Sequence, residues 1–412
     1  EFKLKIRALF NKVSGLKVTD NKIKEIIENI KSESLVESKL TNNFFIDGIS
    51  TDRYIGMKDS ILNLSKAISG VYEVEPNTPN FFTTSSLPYH FDVKADCPIF
   101  KSILTRILPN SDDQKMLQSW FGYHLLSSLS HGKMMIFIGS GANGKSVVLN
   151  VLRELLGKDN VSSVPIENFN NNRTFNMAVT HGKLANVCDE MSKSNIDEAL
   201  LKNYVTGGKI QVEEKYAQPY SFTPTARLTF ATNVIPNIKD KSDGFWRRIL
   251  VLNFKEKVPQ AEQNQKYVEE NFWLECGELS GVFNWALEGA KEIIKTNQIF
   301  QSENSQTSTN QTKIEADSTR LWIIQNIQFE EGQFLDRTVA YNIYKKCQLS
   351  QGLRAVSSSE FIADITNSFS NAQVAENPVL KNGARSRGWH NLMYTPDTLD
   401  TAATPLSIKI VK

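Results

Sequence analysis

Small and polar residues near the middle of the chain have the spacing of a phosphate-binding loop. The fixed positions of the pattern GxxxxGKS are filled by Gly139, Gly144, Lys145 and Ser146, between an apolar run and an apolar helix. Glycines let backbone N–H groups point inward, the lysine reaches the β- and γ-phosphates, and the serine ligates magnesium. The pattern predicts a nucleotide site, with an ordinary glycine turn as the alternative. Its binding residues are Gly139, Ser140, Gly141, Ala142, Asn143, Gly144, Lys145, Ser146 and Val147.

Two adjacent carboxylates follow the next apolar run. Asp189 comes 44 residues after Lys145, at the end of LANVC, and Glu190 follows it. An unpaired charge at a buried strand end costs free energy, and a magnesium ion offsets that cost. We expect Asp189 to hold the metal together with Ser146, and Glu190 to polarise the attacking water. A solvated strand end is the alternative.

A neutral amide ends the third apolar run. Asn233 lies another 44 residues along the chain, after RLTFAT. An amide there orients the lytic water and touches the γ-phosphate without adding a repelling charge. Because asparagine before a turn is also a common turn former, that reading stays open.

An arginine pair precedes the fourth apolar run. Arg247 and Arg248 are consecutive, so on an extended segment their side chains point to opposite sides. We expect one to enter the phosphate site of a neighbouring subunit and the other to pair within its own chain. An ordinary surface pair is the alternative.

The elements that position these residues predict an α/β fold. Near-continuous apolar runs of strand length are typical of buried strands in a largely parallel sheet covered by helices. Helical patterns and short strands precede the sheet, and the stretch 301–313 contains no apolar residue, which predicts a linker. Beyond it we expect helices over 314–329, 337–349 and 358–369 and a two-stranded wing within 380–394. The predicted domains are an N-terminal region over 1–130, the domain with the parallel sheet over 131–300 and a C-terminal domain over 314–412, with the linker at 301–313.

Composition limits the class of protein. The 412 residues carry 47 Lys and Arg against 45 Asp and Glu, which excludes a histone-like coat protein but permits a local basic channel. Four widely spaced cysteines indicate no disulfide framework, and no run is apolar enough for a membrane span. We therefore expect no membrane partner and a cytoplasmic location, that of the host if the protein is from a phage. The first residue is Glu1, so we expect the chain to be part of a longer one.

In combination these motifs resemble the superfamily 3 helicases of viruses and plasmids, a branch of the AAA+ ATPases. The segments 81–100, 117–126 and 206–224 further resemble phage, plasmid and poxvirus-type primase-helicases. The resemblance implies an AAA+ P-loop core, ATP and Mg²⁺ as cofactors, and a replicative DNA helicase that forms a hexameric ring. It also implies a mainly helical N-terminal region, a C-terminal winged-helix-like module, and a primase or polymerase domain upstream of this chain.

The resemblance also implies residues that contact single-stranded or forked DNA. A hairpin over 207–222 would grip one strand, through Lys209, Lys215, Tyr216 and Tyr220. Lys209 stands where many relatives have Asp, so a solvated basic turn stays open. In the wing, Arg385 and Arg387 suit phosphate contact, with a solvated loop as an equal alternative.

Two rival functions remain at this stage. One is a translocase for RNA or for packaging, because a phosphate site does not report which polymer is moved. The other is an origin-binding or loading module that ATP only switches between states.

Overall fold

The structure is a computed structural model of the chain. It describes residues 6–9, 12, 19–33, 43–45, 54–126, 129–170, 174–191, 196–213, 218–233, 238, 243–351, 355–369 and 387–395. Within these ranges it has mixed α/β architecture, with a five-stranded parallel sheet and many helices. No helix in this part of the chain is long and apolar enough to cross a membrane.

Helices and short antiparallel strands precede the main sheet. They are α1 (Asp20–Glu33), β1 (Asn43–Phe45), β2 (Tyr54–Gly56), β3 (Ser60–Asn63), α2 (Leu64–Ile68), β4 (Val74–Pro76), β5 (Phe81–Thr83), α3 (Pro98–Ile107) and α4 (Ser111–Leu125). Strands β2, β3 and β4 form one small sheet, and β1 pairs with β5. Helix α3 begins at Pro98, which suits a first helical turn because its missing N–H needs no partner there. The buried carboxylate of Glu278 accepts hydrogen bonds from the N–H groups of Ile99 (2.7 Å) and Phe100 (2.9 Å) at this helix start.

The central part of the chain contains the parallel sheet. Its elements are β6 (Met134–Ile138), α5 (Lys145–Leu156), β7 (Val161–Ser162), α6 (Thr174–Ala178), β8 (Ala185–Cys188), α7 (Glu198–Val205), β9 (Ile210–Val212), β10 (Tyr220–Phe222), β11 (Arg227–Thr232), α8 (Asp243–Trp246), β12 (Ile249–Asn253), α9 (Phe272–Glu275) and α10 (Leu279–Thr296). The strand order is β12-β6-β11-β8-β7, with all neighbours parallel. Strands β8 and β11 are buried along their whole length, which explains their apolar runs.

Helices α4 and α10 cross at unusually close range. A Cβ atom built on Gly122 would lie 2.2 Å from the backbone nitrogen of Ala290, and one on Gly289 would lie 2.1 Å from the carbonyl oxygen of Gln118. Two glycines therefore let the two backbones touch. This crossing joins the region before the sheet to the helix that follows it.

The stretch 301–313, expected to be a linker, lies largely within a helix, α11 (Glu303–Ala316). Ser302 caps this helix by accepting the N–H of Ser305, and donates its hydroxyl to the buried Asp113 carboxylate at 2.5 Å. The inner face of α11 consists of Ser305, Ser308 and Thr312, all buried. Because hydroxyl groups rather than apolar side chains cover this face, hydrophobic periodicity did not reveal the helix.

The C-terminal elements are α12 (Ser318–Asn326), β13 (Ile327–Asp336), α13 (Arg337–Ser350), α14 (Ser358–Ser368) and β14 (Gly388–Tyr394). The helix expected over 314–329 is wrong beyond Asn326, because the chain there becomes a strand. Strand β13 pairs antiparallel with β14, so the described partner of β14 lies some sixty residues upstream, whereas 380–386 of the expected wing lie outside the described residues. Trp322, Tyr344, Phe361 and Trp389 form a separate core for these elements. The predicted domain boundaries stay predictions.

Replacing Gly122 with alanine tests the close helix crossing. The added methyl group meets backbone atoms that cannot rotate away, so we expect the free energy of unfolding to fall by about 1–3 kcal/mol, despite the better helix propensity of alanine. Urea denaturation of the Gly122→Ala variant measures the loss. Lys295→Ala, at an exposed position of α10, is the control and should change stability by less than about 0.5 kcal/mol.

Candidate functional site

The candidate loop lies between β6 and α5, at the carboxyl end of a central strand. Gly141, Ala142 and Gly144 have positive φ angles of 96°, 49° and 82°. Gly144 is the residue before the first turn of α5 and adopts the left-handed conformation. The backbone therefore curls ahead of a helix N-terminus, where N–H groups attract anions.

Two glycines of the loop have no space for a side chain. A Cβ atom on Gly139 would lie 2.0 Å from Nδ2 of Asn143 and 2.6 Å from the carbonyl oxygen of Phe254. One on Gly144 would lie 2.8 Å from Ile107. Glycine at these positions thus follows from packing as well as from the φ angle of Gly144.

Lys145 lies at the centre of the loop with its ammonium group buried. The side chain donates hydrogen bonds to the carbonyl oxygen of Gly139 (2.8 Å), Oδ1 of Asn143 (3.0 Å) and Oδ1 of Asn233 (3.2 Å). The residue is 7% exposed, and burial lowers the pKa of its ammonium group. All three oxygens are neutral, and no carboxylate pairs with this group within the described ranges. An anion in the loop would supply the missing countercharge.

Asn233 reaches the loop because β11 and β6 are neighbours. Thr232 is in register with Ile138, so the residue after β11 lies beside the residue after β6. The structure therefore brings Lys145 and Asn233 together, although they are 88 residues apart. Ser140 and Ser146 are both exposed to solvent, Ser146 in the first turn of α5.

The two acidic residues follow β8, one strand further from the loop. Asp189 forms an ion pair with Arg153 of α5, which also donates to the carbonyl oxygen of Val187 at 3.2 Å. Glu190 is exposed. Sequence reasoning did not identify Arg153, because nothing near residue 153 indicates contact with a strand end 36 residues away.

Hard oxygen ligands suit magnesium, and the hydroxyl of Ser146 and the carboxylate of Asp189 are of that kind. The chemistry of these two side chains fits a magnesium ion, with the condition that Asp189 shares or exchanges its bond to Arg153. Within the described residues, no group of three or more His, Cys, Asp and Glu side chains is placed to hold a metal.

The arginine pair lies at the opposite end of the sheet from the loop. Arg248 directly precedes β12, whose first residue Ile249 is in register with Met134, the first residue of β6. Arg248 is partly buried and donates to the carbonyl oxygen of Gly244, whereas Arg247 is exposed. Burial, and then the positive charge of Arg247, lowers the pKa of the Arg248 guanidinium.

The expected hairpin has two short antiparallel strands, β9 and β10, paired from Ile210 to Phe222. Lys209 is exposed before β9, and Tyr220 is partly exposed at the start of β10. Lys215 and Tyr216 lie outside the described residues. Sequence reasoning missed His181, whose ring stacks on Phe222 at 4.7 Å between centroids and lies 5.4 Å from that of Tyr220.

Of the two arginines expected in the wing, Arg387 is exposed immediately before β14. Arg385 lies outside the described residues. The predicted DNA contact of these two arginines therefore stays a prediction.

Comparison with known proteins identifies similar chains. Residues 137–248, which contain the loop, the acidic pair, Asn233 and the arginines, match a family of unknown function (DUF5906). A protein of Acanthamoeba polyphaga mimivirus named "Putative helicase L207/L206" is 26% identical over 48% of this chain and 22% of its own length. A protein of Invertebrate iridescent virus 3 named "Putative helicase 121R" is 30% identical over 32% of this chain and 16% of its own length. The matched parts thus span less than a quarter of either viral protein.

Solved structures of the NrS-1 C-terminal region also align with the chain. Its A-form apo structure covers 76% of this chain and 81% of its own, with a TM-score of 0.44 and 14% identity. Another apo structure of that region covers 94% and 89%, with the same TM-score and identity. Likenesses at this level do not establish a common fold.

Replacing Asn143 with alanine tests whether the hydrogen bonds of this buried side chain stabilise the loop. Its Nδ2 donates to the carbonyl oxygen of Phe254 at 2.9 Å, and its Oδ1 accepts from Lys145. We expect Asn143→Ala to lower the free energy of unfolding by about 1–3 kcal/mol, because two buried polar groups lose a partner. Urea denaturation checks this, and the exposed Asn310→Ala on α11 is the control. Equal stabilities of the two variants would contradict the assigned contacts.

Proposed function

We propose that this chain is the motor part of an ATP-dependent DNA helicase of superfamily 3, with an AAA+ P-loop core. The observation that carries the proposal is the buried Lys145 ammonium, held by three neutral oxygens inside a loop of N–H groups at a helix start. A triphosphate would supply the countercharge that this group lacks. The similarity to two viral proteins named as helicases supports DNA or RNA unwinding over other uses of ATP.

Each site residue has a role in the proposed reaction. The loop residues 139–147 bind the phosphates, and Lys145 stabilises negative charge on the transferred phosphoryl group. Asn233, hydrogen-bonded to Lys145, would orient the attacking water. Glu190, exposed beyond β8, would accept a proton from that water. Magnesium, when bound by Ser146 and Asp189, would neutralise phosphate charge.

The position of the arginines supports a site shared between subunits. They lie at the amino end of β12, whereas the loop follows the carboxyl end of β6, and the five-residue strand between these ends spans about 16 Å. An arginine from 247–248 that contacts a phosphate would therefore do so in the site of a neighbouring chain. Arg247 is exposed and suits this role, whereas Arg248 donates a hydrogen bond to the carbonyl oxygen of Gly244 in its own chain.

We further propose a ring, hexameric by resemblance, that moves along single-stranded DNA at a phage or plasmid replication fork. The antiparallel β9–β10 hairpin, with Lys209 and Tyr220 described, would contact the strand. The order α12, β13, α13, α14, β14 suits a winged-helix-like module that adds DNA contacts, including Arg387. A primase or polymerase domain would belong to the longer protein.

Lys145→Ala tests the phosphate site directly. We expect loss of measurable ATP hydrolysis, because the cation at the transferred phosphate is removed, with little change in the folded structure. Steady-state phosphate release, with and without single-stranded DNA, measures this effect. Lys158→Ala, an exposed lysine just beyond the same helix, is the control. Hydrolysis by Lys145→Ala at the parental rate would show that the site is misassigned.

A mixture of inactive variants tests the shared site. Arg247→Ala should lower hydrolysis by roughly 10³–10⁵-fold while ATP binding persists, because the variant's own loop is intact. Arg248→Ala should mainly lower stability, because its contact with Gly244 is lost. Mixing Lys145→Ala with Arg247→Ala subunits should restore part of the activity, since the first supplies an arginine to the intact loop of the second. Mixed rings that form, as shown by native mass spectrometry, yet stay inactive would contradict a shared site.

Forked substrates then decide what the motor moves. We expect unwinding of forked DNA driven by ATP, measured by strand release at one stated salt concentration. Unwinding of RNA alone would favour a translocase for RNA. ATP hydrolysis that DNA does not stimulate, together with tight duplex binding, would favour a loader.

A further inference from the structure

The carboxylate of Asp189, the expected magnesium ligand, faces a cation of the protein itself. Nη2 of Arg153 forms an ion pair with Oδ1 of Asp189, and Nη1 lies 3.5 Å from Oδ2. Nη2 also donates to the carbonyl oxygen of Val187 at 3.2 Å. Both oxygens of the carboxylate are therefore turned toward the guanidinium group. The charge that a metal was expected to offset at the end of β8 is offset by Arg153.

Arg153 approaches Asp189 from the same face of α5 that carries Ser146. The two helix residues are seven positions apart, which is two turns, so their side chains leave the helix on the same side. The contacts of Arg153 with Val187 and Asp189 show that this side faces β8. A magnesium ion held by Ser146 and Asp189 would lie on this side as well. The ion and the guanidinium group would thus meet at one carboxylate.

The ion pair is open enough to water to exchange. The side chains of Arg153 and Asp189 are 26% and 42% exposed, and ion pairs at such exposure contribute little to stability. A fully buried pair could not open without leaving an uncompensated charge. Here the carbonyl oxygen of Val187 can keep its bond to the guanidinium group when the carboxylate leaves. Opening the pair therefore needs no unfolding around it.

The two cations exclude each other at this carboxylate. Magnesium needs its oxygen ligands in close octahedral contact, whether directly or through its bound water. A guanidinium group that faces both carboxylate oxygens blocks that contact, and its positive charge repels the ion. The free energy of removing Arg153 from Asp189 lowers the affinity for the metal, as in any site whose binding-competent state is only partly populated. A site with Arg153 in place should therefore need more magnesium than one without it.

We propose that Arg153 competes with magnesium for Asp189 and so sets the magnesium concentration at which the nucleotide site fills. The guanidinium group holds the carboxylate in the empty site and releases it when the metal binds together with a nucleotide. This inference rests on the proposed nucleotide site and adds a residue that regulates its metal loading. A residue that only oriented Asp189 for the metal would act in the opposite direction, because its loss would leave the ligand loosely held.

Nucleotide binding at increasing magnesium concentrations tests the competition. The full chain is titrated with a fluorescent, non-hydrolysable ATP analogue, from EDTA to excess Mg²⁺. We expect Arg153→Ala to reach half of its magnesium-dependent gain in affinity at a Mg²⁺ concentration about two- to fivefold lower than the parent needs. In EDTA the two proteins should bind equally, because the loop that holds the phosphates is unchanged. Arg153→Gln, which keeps an amide donor for the carbonyl oxygen of Val187, should behave like Arg153→Ala. Lys158→Ala breaks an exposed ion pair with Glu270 just beyond the same helix and should match the parent.

The same titration with Asp189→Asn shows whether Arg153 acts through this carboxylate. Without the carboxylate there is no shared ligand for the two cations. Adding Arg153→Ala to Asp189→Asn should therefore shift the magnesium curve clearly less than Arg153→Ala does in the parent. An equal shift in both backgrounds would mean that Arg153 acts on the metal through its charge alone, and would overturn the competition.

The outcomes distinguish this inference from the proposed function. If the parent does not bind the analogue even with excess magnesium, the proposed function fails and this inference fails with it. If the parent binds and Arg153→Ala needs the same magnesium concentration, the competition is wrong while the phosphate site stands. A higher requirement in Arg153→Ala would give Arg153 the orienting role and also overturn the competition. Weaker binding of Arg153→Ala and Arg153→Gln in EDTA would show that Arg153 supports the phosphate loop, and would contradict it as well.

Discussion

A buried ammonium group that pairs with no carboxylate of the described residues is the constraint on which the site depends. Lys145 donates hydrogen bonds to three oxygen atoms: the carbonyl of Gly139, the side chain of Asn143 in the loop, and the side chain of Asn233 after β11. The loop needs its close packing on Phe254, and β11 must lie beside β6, for all three to converge. Burial lowers the pKa of the lysine. The fold thus holds a buried charge whose hydrogen-bond donors are satisfied by neutral oxygens alone, which is the environment that a bound anion would stabilise.

Much of this arrangement was predictable because it follows from local pattern. The strands are buried on both faces, so their sequences are continuous apolar runs, and Asp189 and Asn233 each directly follow such a run. Parallel strands place all such residues at one edge of the sheet. To predict that Lys145 and Asn233 converge, one therefore needs to know only that β6 and β11 are neighbouring strands.

The features that sequence reasoning missed depend on contacts between distant residues. Helix α11 packs through hydroxyl groups that bond Asp113 and Asn253, so its inner face has no apolar period to detect. Strand β14 pairs with β13 across two helices, a register that no local turn specifies. The ion pair of Arg153 with Asp189 joins a helix to a strand end, and it changes the expected role of Asp189 from a free metal ligand to a shared one.

The two ends of the parallel sheet have different chemistry, and this asymmetry bears on assembly. The carboxyl end holds Lys145 in the candidate phosphate loop, and the amino end holds Arg247 and Arg248 beside Lys133, whose pKa is lowered by burial and by both arginines. An external anion would stabilise the charged forms of these three neighbouring cations. If the proposed nucleotide occupies the loop, a contact that places the amino end of one sheet against the carboxyl end of the next would let its phosphates neutralise the cations of both ends. Such a head-to-tail contact would build the proposed ring if its rotation closes, because each chain offers one surface of each kind.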